Sequence, residues 1–478
     1  MNTSGDSAQA EAEDVRWSDI FTGRRGTLTF VLGLGMGLFA INQFVVATIM
    51  PTVVRDIGGM DYYTWAFSLF AIGAIIGSAS ANPLRQAFGV RRAYAGAGLM
   101  LGIGLAGAAL APDMPTLVAA RLIQGIGGGA VASSGYGLIA ISYPPHLRSR
   151  VLSVVSTIWG TATVFGPGFG AAFAEPGLWR GAFLGLLPLI LLFIVLAWRF
   201  VDGERGDGRL SAIPYRRLAL LAFAVLLISA TSLTEAVWLR AVLVTASVVF
   251  AILTFVIDAR AEQTMFPRGA TRLLTELGAI YWILFLGSIV LAIVNTYSTF
   301  YLQALHDVPP LVAGYLFAIQ SLMWTVSALV VAMFPRSLET GSIVVGLFFI
   351  LLGTAAIALT VESGPVFAIA IAIGLTGIGL GAINNPVIQR IIAIVPEAEK
   401  HMAGTSVQTI RNIGISFGAA FSGLVAAVAG LSEGASRETV GGAMQWVYGV
   451  NAGCALLALV MVIPLLLARR AQRRQKAT

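Results

Sequence analysis

Long apolar runs separated by short polar stretches alternate along nearly the whole chain. A transmembrane α-helix needs about 20 mostly apolar residues to cross the hydrocarbon core of a bilayer. The pattern therefore predicts an all-α polytopic membrane protein with about 14 transmembrane helices. The approximate bounds of the runs are 27–50, 62–82, 92–111, 115–142, 150–174, 181–200, 217–233, 237–257, 277–304, 311–334, 341–361, 365–389, 402–430 and 441–468.

The composition supports a membrane protein. Of the 478 residues, 57% are hydrophobic and only 11% are charged, whereas soluble domains carry about 25% charged residues. The net charge is +7, but the basic residues are dispersed over many short loops and form no single patch of the kind that binds nucleic acid. The expected partners are the lipid bilayer and a small-molecule substrate, and no nucleic acid.

The sequence offers little for metal, redox or catalytic chemistry. Cys454 is the one cysteine, so no intramolecular disulfide is possible, and the three histidines, His146, His306 and His401, are dispersed. The glycines of "GLGMG" in the first helix are not followed by Lys-Ser or Lys-Thr, as a phosphate loop requires. We expect no metal, no cofactor, no catalytic residue and no enzymatic activity.

The distribution of arginines predicts the orientation. One set of alternate loops and tails is rich in Arg and Lys, whereas the opposite set offers only Arg55, Arg180, Arg240 and Arg437. The positive-inside rule then places both termini in the cytoplasm of a protein of the bacterial inner (plasma) membrane. This arrangement requires an even number of helices, which favours fourteen over thirteen.

Two distant segments of the chain resemble each other. "IGGGAVASSGYGLIAISYP" starts at Ile126 and "IGLGAINNPVIQRIIAIVP" starts at Ile378, an offset of 252 (378 − 126). Pro144 and Pro396 keep this offset, as do Phe165-Gly166 and Phe417-Gly418, and so do Pro83 and Pro335 in loops interpreted as equivalent. The repeat predicts two pseudo-symmetric six-helix bundles with an inserted helix pair.

The predicted domains follow from the runs and the repeat. They are a cytoplasmic N-terminal tail at 1–26, an N-terminal transport bundle at 27–200, a linker with two extra helices at 201–276, a C-terminal transport bundle at 277–468 and a basic cytoplasmic tail at 469–478. Duplicated halves are typical of secondary transporters, which bind solute between the halves near the bilayer midplane and move it by alternating access. We expect such a protein to function as a monomer.

Four motifs occur in order along the chain. The first is "NPLRQAFGVRR" at Asn82 to Arg92, and the second is "RLIQGIGGGA" with Arg121, Gln124 and Gly125. The third is "WGTATVFGPGFGAAF" with Gly166, Pro167 and Gly170, and the fourth is "WRGAFLGLLP" from Trp179 to Pro188. Together they make the chain similar to the major facilitator superfamily, and within it to the fourteen-helix drug:proton antiporter branch.

Two positions depart from the pattern of that branch. In the family's GxLADRxGRRR loop an Asp latches one conformation, and here Gln86 stands in its place, among matching residues that include Gly89, Arg91 and Arg92. In helix 1 the proton-carrying Asp is replaced by Asn42, which cannot titrate. No Asp or Glu falls clearly at mid-membrane, and Glu276 and Asp307 come nearest. The resemblance therefore implies the fold and transport, but not simple proton antiport.

Polar and aromatic residues within the helices are candidates for the substrate path. Charged groups in a membrane are usually functional, so Arg121 and Arg411 either anchor a polar network or a substrate group, or pack against carbonyls. Amides and rings suit a neutral or weakly charged planar solute, although amides also bridge helices, and tryptophans such as Trp159 are expected to anchor or pack. The path candidates are Asn42, Gln43, Arg121, Gln124, Asn295, Tyr297, Tyr301, Gln320, Trp324, Asn384, Asn385, Gln408, Arg411 and Asn412.

Conformational change is predicted to involve a second group of residues, drawn from the loop motif and the glycine-rich helix 5. These gating candidates are Gln86, Gly89, Arg91, Arg92, Gly166, Pro167 and Gly170.

Three functions remain open from the sequence. Efflux of a small amphipathic or aromatic compound is favoured by the helix 5 motif and the fourteen-helix layout. Uptake of a nutrient such as a riboflavin-like aromatic vitamin agrees with the amide-rich and aromatic path and the missing acids. The third is a non-transporting membrane sensor or scaffold, although the longest loops are too short for an appended domain.

Overall fold

The computed structural model describes residues 17–203, 206, 208, 213–261, 264–396 and 399–467. The predicted basic tail at 469–478 and the first sixteen residues of the predicted N-terminal tail lie outside the described residues. The predicted domain bounds stay predictions, whereas the helices themselves can be given directly.

Fourteen long helices are present in the described part of the chain. They are α1 (Gly23–Ile57), α2 (Trp65–Phe88), α3 (Val90–Ala109), α4 (Met114–Ser142), α5 (Pro145–Ala174), α6 (Leu187–Phe200, after a short helix at Arg180–Leu184), α7 (Tyr215–Ser229), α8 (Val237–Ala259), α9 (Glu276–His306), α10 (Pro310–Ala332), α11 (Glu339–Thr360), α12 (Val366–Ile394), α13 (Lys400–Val428) and α14 (Arg437–Val460).

These helices confirm the predicted all-α polytopic fold. Twelve described helical stretches are long and apolar enough to cross a membrane. The two remaining helices, α3 and α4, have 20 and 29 residues and pack within the same bundle. We call the side of the membrane at which α1 begins the near side, and the opposite side the far side.

The helices before and after the inserted pair α7 and α8 pack in matching pairs. In the N half, α1 to α6, helix α2 packs on α4, α1 on α5, and α3 on α4 and α6. In the C half, α9 to α14, helix α10 packs on α12, α9 on α13, and α11 on α12 and α14. The pairs correspond one to one, so the two bundles are pseudo-symmetric, as the repeat predicts.

Glycines allow the closest of these pairs to approach. A Cβ atom added to Gly125 on α4 would overlap the carbonyl of Phe70 on α2, and one added to Gly377 on α12 would overlap the carbonyl of Gln320 on α10. Gly125 and Gly377 are 252 residues apart (377 − 125), but Phe70 and Gln320 are 250 apart (320 − 70). Helix α10 is therefore shifted by two residues relative to α2 in the repeat.

The interpretation of Asn82 to Arg92 as a loop is wrong for most of its length. Helix α2 continues to Phe88 with Pro83 inside it, and Gly89 alone connects it to α3. Gly89 has a φ of 84°, which glycine adopts readily and L side chains rarely do. Pro335, in contrast, follows the end of α10, so the two prolines are not structurally equivalent.

Contacts within the N half fix this junction. Arg85 donates two hydrogen bonds to the Asn82 side chain, at 2.8 and 3.3 Å, and Arg91 donates one of 2.9 Å to the carbonyl of Val201 after α6. Gly206 lies against the backbone carbonyls of Gln86 and Ala87. Val201 and Gly206, both after α6, therefore lie against the α2–α3 junction.

The start of α4 on the far side is capped. Asp113 accepts a hydrogen bond of 2.9 Å from the backbone N–H of Thr116. Hydrogen bonds from the side chain and backbone of Thr116 lower the pKa of Asp113, because they stabilise the charged carboxylate. This cap satisfies a backbone donor that the first turn of a helix leaves unpaired.

Helices α7 and α8 pack on each other, and α7 contacts α2 and α13. Arg217 of α7 forms a buried ion pair with Asp258 of α8. Asp258 also accepts hydrogen bonds from the backbone N–H groups of Met265, at 2.8 Å, and Phe266, at 3.3 Å. The inserted pair is thus bound to the side of the bundle and tied to the chain that leads into α9.

Candidate functional site

A cavity of about 460 Å³ lies between the two halves. Its volume is in the range typical of sites for drug-sized ligands. Residues of α1, α2, α4 and α5 line it on one side, and residues of α9, α10, α12 and α13 line it on the other. Both bundles therefore contribute a wall to the same space.

The two walls are built from equivalent positions of the repeat. In α1, α5, α9 and α13, lining residues pair at an offset of 252: Phe39 with Leu291, Gln43 with Asn295, Trp159 with Arg411, Gly160 with Asn412, and Thr163 with Ile415. In α2 and α10 they pair at the shifted offset of 250: Phe67 with Phe317, Phe70 with Gln320, Ala71 with Ser321, and Ala74 with Trp324.

The walls differ in chemistry although their positions correspond. We call Phe39, Phe67, Phe70 and Trp159 the N-half wall. We call Asn295, Gln320, Arg411 and Asn412 the C-half wall. The first presents aromatic rings and the second presents amides and a guanidinium, while Gln43 and Arg121 also line the N-half side and Phe317 and Trp324 the C-half side.

Arg411 points its charge into this space. Its guanidinium carbon lies 5.3 Å from the centre of the Trp324 ring, which also lines the cavity. In the part of the chain that the structure describes, this guanidinium makes no hydrogen bond or ion pair. A cation stacked on an aromatic ring is stabilised by the π-face, but its N–H donors remain available.

Arg121 has a different environment. Its side chain is only 1% exposed, lies 4.0 Å from the centre of the Phe70 ring, and donates a hydrogen bond of 3.0 Å to the carbonyl of Ala66. It also donates to the side-chain oxygen of Gln124, which accepts a second, longer bond of 3.4 Å from Asn42. Gln124 in turn donates 3.0 Å to the carbonyl of Gly104. Arg121 is therefore anchored within the N half.

Nine of the predicted path residues line the cavity: Gln43, Arg121, Asn295, Gln320, Trp324, Asn384, Gln408, Arg411 and Asn412. The other five lie elsewhere. Asn42 and Gln124 are buried behind the N-half wall, and Asn385 accepts a hydrogen bond of 3.2 Å from Asn384. Tyr297 packs against Tyr63, and Tyr301 against Tyr448, on the other faces of α9.

Acidic side chains do not line the cavity among the described residues. The two acids that come nearest to mid-membrane in the sequence both form ion pairs. Glu276 accepts a hydrogen bond of 2.6 Å from Arg390, and Asp307 pairs with Arg437 at 2.9 Å. The described lining residues therefore include two guanidinium groups, Arg121 and Arg411, and no carboxylate.

The far side of the cavity is closed by contacts between the halves. Thr299 of α9 donates to the carbonyl of Ala47 on α1, Gln303 donates 3.3 Å to the carbonyl of Thr48, and Tyr63 donates 3.0 Å to the carbonyl of Thr296. Phe44 and Phe317 are buried beneath these bonds, 5.9 Å apart between ring centres.

The cavity is open toward the near side. Tyr136, Thr325 and Gln408 are all exposed. The structure is therefore closed on the far side and accessible from the near side.

Comparison with known proteins agrees with this architecture. The model of the family described as Major Facilitator Superfamily matches residues 32–363. The chain belongs to the Major Facilitator Superfamily. A probable multidrug-efflux transporter of Mycobacterium tuberculosis is 29% identical over 433 residues, which cover 87% of this chain and 91% of that protein.

Two further similarities extend the comparison. The riboflavin transporter RibZ of Clostridioides difficile is 21% identical, over 82% of this chain and 86% of its own length. A crystal structure of the nucleoside transporter NupG superposes with a TM-score of 0.62 at 13% identity, over 92% of this chain and 99% of that chain. The latter similarity concerns the fold alone.

In this superfamily member, the glycine motif of α5 lies at helix crossings. A Cβ atom added to Gly166 would lie 2.5 Å from the Cβ of Phe44, and one added to Gly170 would lie 3.2 Å from the Cβ of Thr48, both on α1. Pro167 contacts the other half, because a Cβ atom added to Gly314 on α10 would lie 2.7 Å from the Cβ of Pro167. The motif therefore forms part of the far-side closure of this transporter.

The structure adds lining residues that the sequence interpretation missed. Trp159, expected to anchor or pack, lies in the cavity, as do Phe39, Phe67, Phe70 and Tyr136. The repeat carried a signal for some of them, since Trp159 is the exact partner of Arg411 at the offset of 252. Phenylalanines in an apolar helix carry no such signal by themselves.

Proposed function

We propose that this superfamily transporter exports a small aromatic or amphipathic organic solute by alternating access. The observation that carries the proposal is the cavity itself, whose two walls come from equivalent positions of the two halves and whose far side is closed by bonds between them. Rocking of one half against the other would break these bonds and open the cavity on the other side.

The orientation follows from the arginines. The near side carries the richest clusters of basic residues, which cytoplasmic loops favour. We therefore assign the near side and both termini to the cytoplasm of the bacterial inner membrane. In this orientation the structure corresponds to a state that receives solute from the cytoplasm.

One chain supplies both walls and both sides of the far-side closure, which supports a functional monomer. In the proposed cycle the nine lining residues named above bind solute. Gly166, Pro167 and Gly170 form the contacts that part on the far side, while Gln86, Gly89, Arg91 and Arg92 join α2 to α3 at the near side.

Efflux is the preferred direction because the Mycobacterium tuberculosis relative is named for multidrug efflux and aligns over most of both chains. Uptake of an aromatic vitamin is the second candidate. It is supported by the relative named as a riboflavin transporter and by the lack of an acid among the described lining residues, where a proton antiporter needs a group that titrates.

Accumulation of dyes, antimicrobials and flavins in expressing cells, with and without a protonophore, tests the proposal. Lower accumulation than in cells without the protein indicates efflux, and higher accumulation of one narrow class indicates uptake. Equal accumulation of every compound would contradict transport of this solute class.

A matched pair of variants controls for expression. Gly314→Trp would force α10 from Pro167 and prevent far-side closure, whereas Gly449→Trp adds a ring where a Cβ atom would meet nothing within 4 Å. We expect both proteins in the membrane and only the first to be inactive.

A further inference from the structure

We propose that the transported solute is an aromatic anion, with its rings on the N-half wall and its carboxylate or sulfonate bound by Arg411. This inference rests on the proposed function and names its substrate class. It depends on the charge of the cavity, the free donors of Arg411 and the different chemistry of two walls whose positions are equivalent.

The charge of the cavity selects against cations. Arg411 faces the space, the nearly fully buried guanidinium of Arg121 lies at its edge, and no acid lines it among the described residues. Inside a bundle, where the effective dielectric constant is low, like charges repel more strongly than in water. A cationic solute would therefore meet repulsion, and an anion attraction.

Arg411 has the donors that an anion needs. Arg121 is occupied by Gln124 and the carbonyl of Ala66, whereas Arg411 stacks on the ring of Trp324 and has no hydrogen-bond acceptor among the described residues. The planar guanidinium fork matches the two oxygens of a carboxylate or sulfonate. The neighbouring amides Asn295 and Asn412 line the same side of the cavity, where their N–H groups can donate to the remaining oxygens.

The opposite wall suits the rest of such a molecule. Trp159 stands at the repeat position of Arg411, and Phe70 at that of Gln320. A symmetric cavity would bind a solute equally well in two orientations. Here the aromatic rings lie opposite the guanidinium of Arg411, and this difference favours one orientation of the solute. The solute then binds with an apolar aromatic end and an anionic end.

An anionic solute also changes the energetics expected of this transporter. The bacterial interior is electrically negative, so an anion is driven outward by the membrane potential, by about 50-fold in concentration ratio per charge at about 100 mV. Export of this class does not need a proton-carrying acid. The glutamine and asparagine at positions 86 and 42 are compatible with such transport.

Binding to the purified full-length protein tests the inference. Fluorescein, an anionic xanthene dye, is compared with rhodamine 123, a cationic dye of the same ring system, and with an anilinonaphthalene sulfonate, by fluorescence anisotropy in detergent. We expect the two anions to bind at least 10-fold more tightly than rhodamine 123. Arg411→Gln should weaken anion binding about 10- to 100-fold, the range for charge-assisted hydrogen bonds, and leave rhodamine 123 binding equal or stronger.

Three further variants make the result specific. Arg411→Lys keeps the charge without the fork and should weaken binding less than Arg411→Gln does, and it serves if Arg411→Gln fails to fold. Trp159→Ala should weaken binding of all dyes by a similar factor, because it removes part of the aromatic wall. Arg199→Gln, at an exposed arginine outside the cavity, should change nothing.

Preferential binding of rhodamine 123, no binding of either anion, or anion binding unaffected in both Arg411 variants would overturn the inference. The proposed function is tested separately, by measuring transport of the same dyes across proteoliposome membranes under a potassium diffusion potential. Anion binding without transport would contradict the proposed function alone, whereas transport restricted to cations would contradict the inference alone.

Discussion

Asn42 donates a hydrogen bond to the side-chain oxygen of Gln124, and Arg121 donates to the same oxygen. A single neutral acceptor on α4 thus binds both the buried guanidinium of Arg121 and Asn42 of α1, the residue that stands where the resemblance implies a titratable acid. The arrangement joins α1 to α4 without supplying a group that exchanges protons.

Asn42→Asp is expected to introduce dependence on pH. The new carboxyl would lie beside Gln124 and near Arg121, so its protonation would change the charge behind the N-half wall. Dye transport in proteoliposomes should vary with pH in this variant and be nearly constant in the wild type over the same range. Asn42→Ser is the control without a charge, and an unchanged profile in the aspartate variant would show that this position is isolated from the transport cycle.

Gln124→Leu is expected to destabilise the protein by about 1–3 kcal/mol, because a buried guanidinium loses its acceptor. Thermal unfolding of the purified protein in detergent measures the effect. Gln124→Glu restores an acceptor and should recover most of the lost stability. Equal stability of the leucine variant and the wild type would mean that Arg121 finds another acceptor.

Gly125→Ala is expected to destabilise the N half, since the added methyl group overlaps the carbonyl of Phe70 at the α2–α4 crossing. Overpacking of this kind costs about 1–3 kcal/mol. Gly137→Ala on the same helix meets nothing within 4 Å and should be neutral or stabilising by up to about 1 kcal/mol. The two unfolding curves in detergent test the crossing, and similar curves would argue against it.

Gln86→Asp is expected to slow transport without changing dye affinity. A carboxylate at the end of α2 can form charge-assisted hydrogen bonds that an amide cannot, and it would favour one conformation of the α2–α3 junction. Initial rates in proteoliposomes, with binding measured in parallel, distinguish rate from affinity, and Gln86→Asn is the neutral control. No change in rate would show that the junction does not limit the cycle.

Cross-linking on the far side is expected to stop transport. In a Cys454→Ser background, Ala47→Cys and Thr299→Cys place thiols on α1 and α9, where Thr299 donates to the carbonyl of Ala47. A short thiol-reactive cross-linker should join them and abolish transport, and a reducible version should allow recovery after reduction. The single-cysteine variants should remain active under the same treatment. Full activity of the cross-linked double variant would exclude opening at this point.

The sequence predicts the fold well because length and hydrophobicity determine which segments span a bilayer. It also predicts six of the eight helices that line the cavity, but misses α2 and α5 and does not always predict which face of a helix is lining. Asn42 and Asn295, both predicted path residues, are 253 residues apart (295 − 42), whereas the lining residue that matches Asn295 at the repeat offset of 252 is Gln43. One residue along a helix is a rotation of about 100°, which is enough to turn Asn42 away from the cavity and toward Gln124.

The same rotation explains Tyr297 and Tyr301. They follow Asn295 by two and six residues, about 200° and 240° around the helix, and therefore face Tyr63 and Tyr448. The aromatic wall could not be predicted for another reason. Phe39, Phe67 and Phe70 are apolar residues within apolar helices, where lipid, protein and cavity all favour the same side chains.

The two-residue shift of α10 relative to α2 bears on which conformation the empty transporter prefers. If the two halves were identical, the state open to the near side and the state open to the far side would be mirror versions of each other. The two states would then have equal free energy. Here the crossing at Gly377 meets Gln320 where a strict repeat would place Leu322, so the two end states bury different side chains. We therefore expect the two conformations of the empty transporter to be unequally populated, with the cavity open to one particular side of the membrane in most molecules.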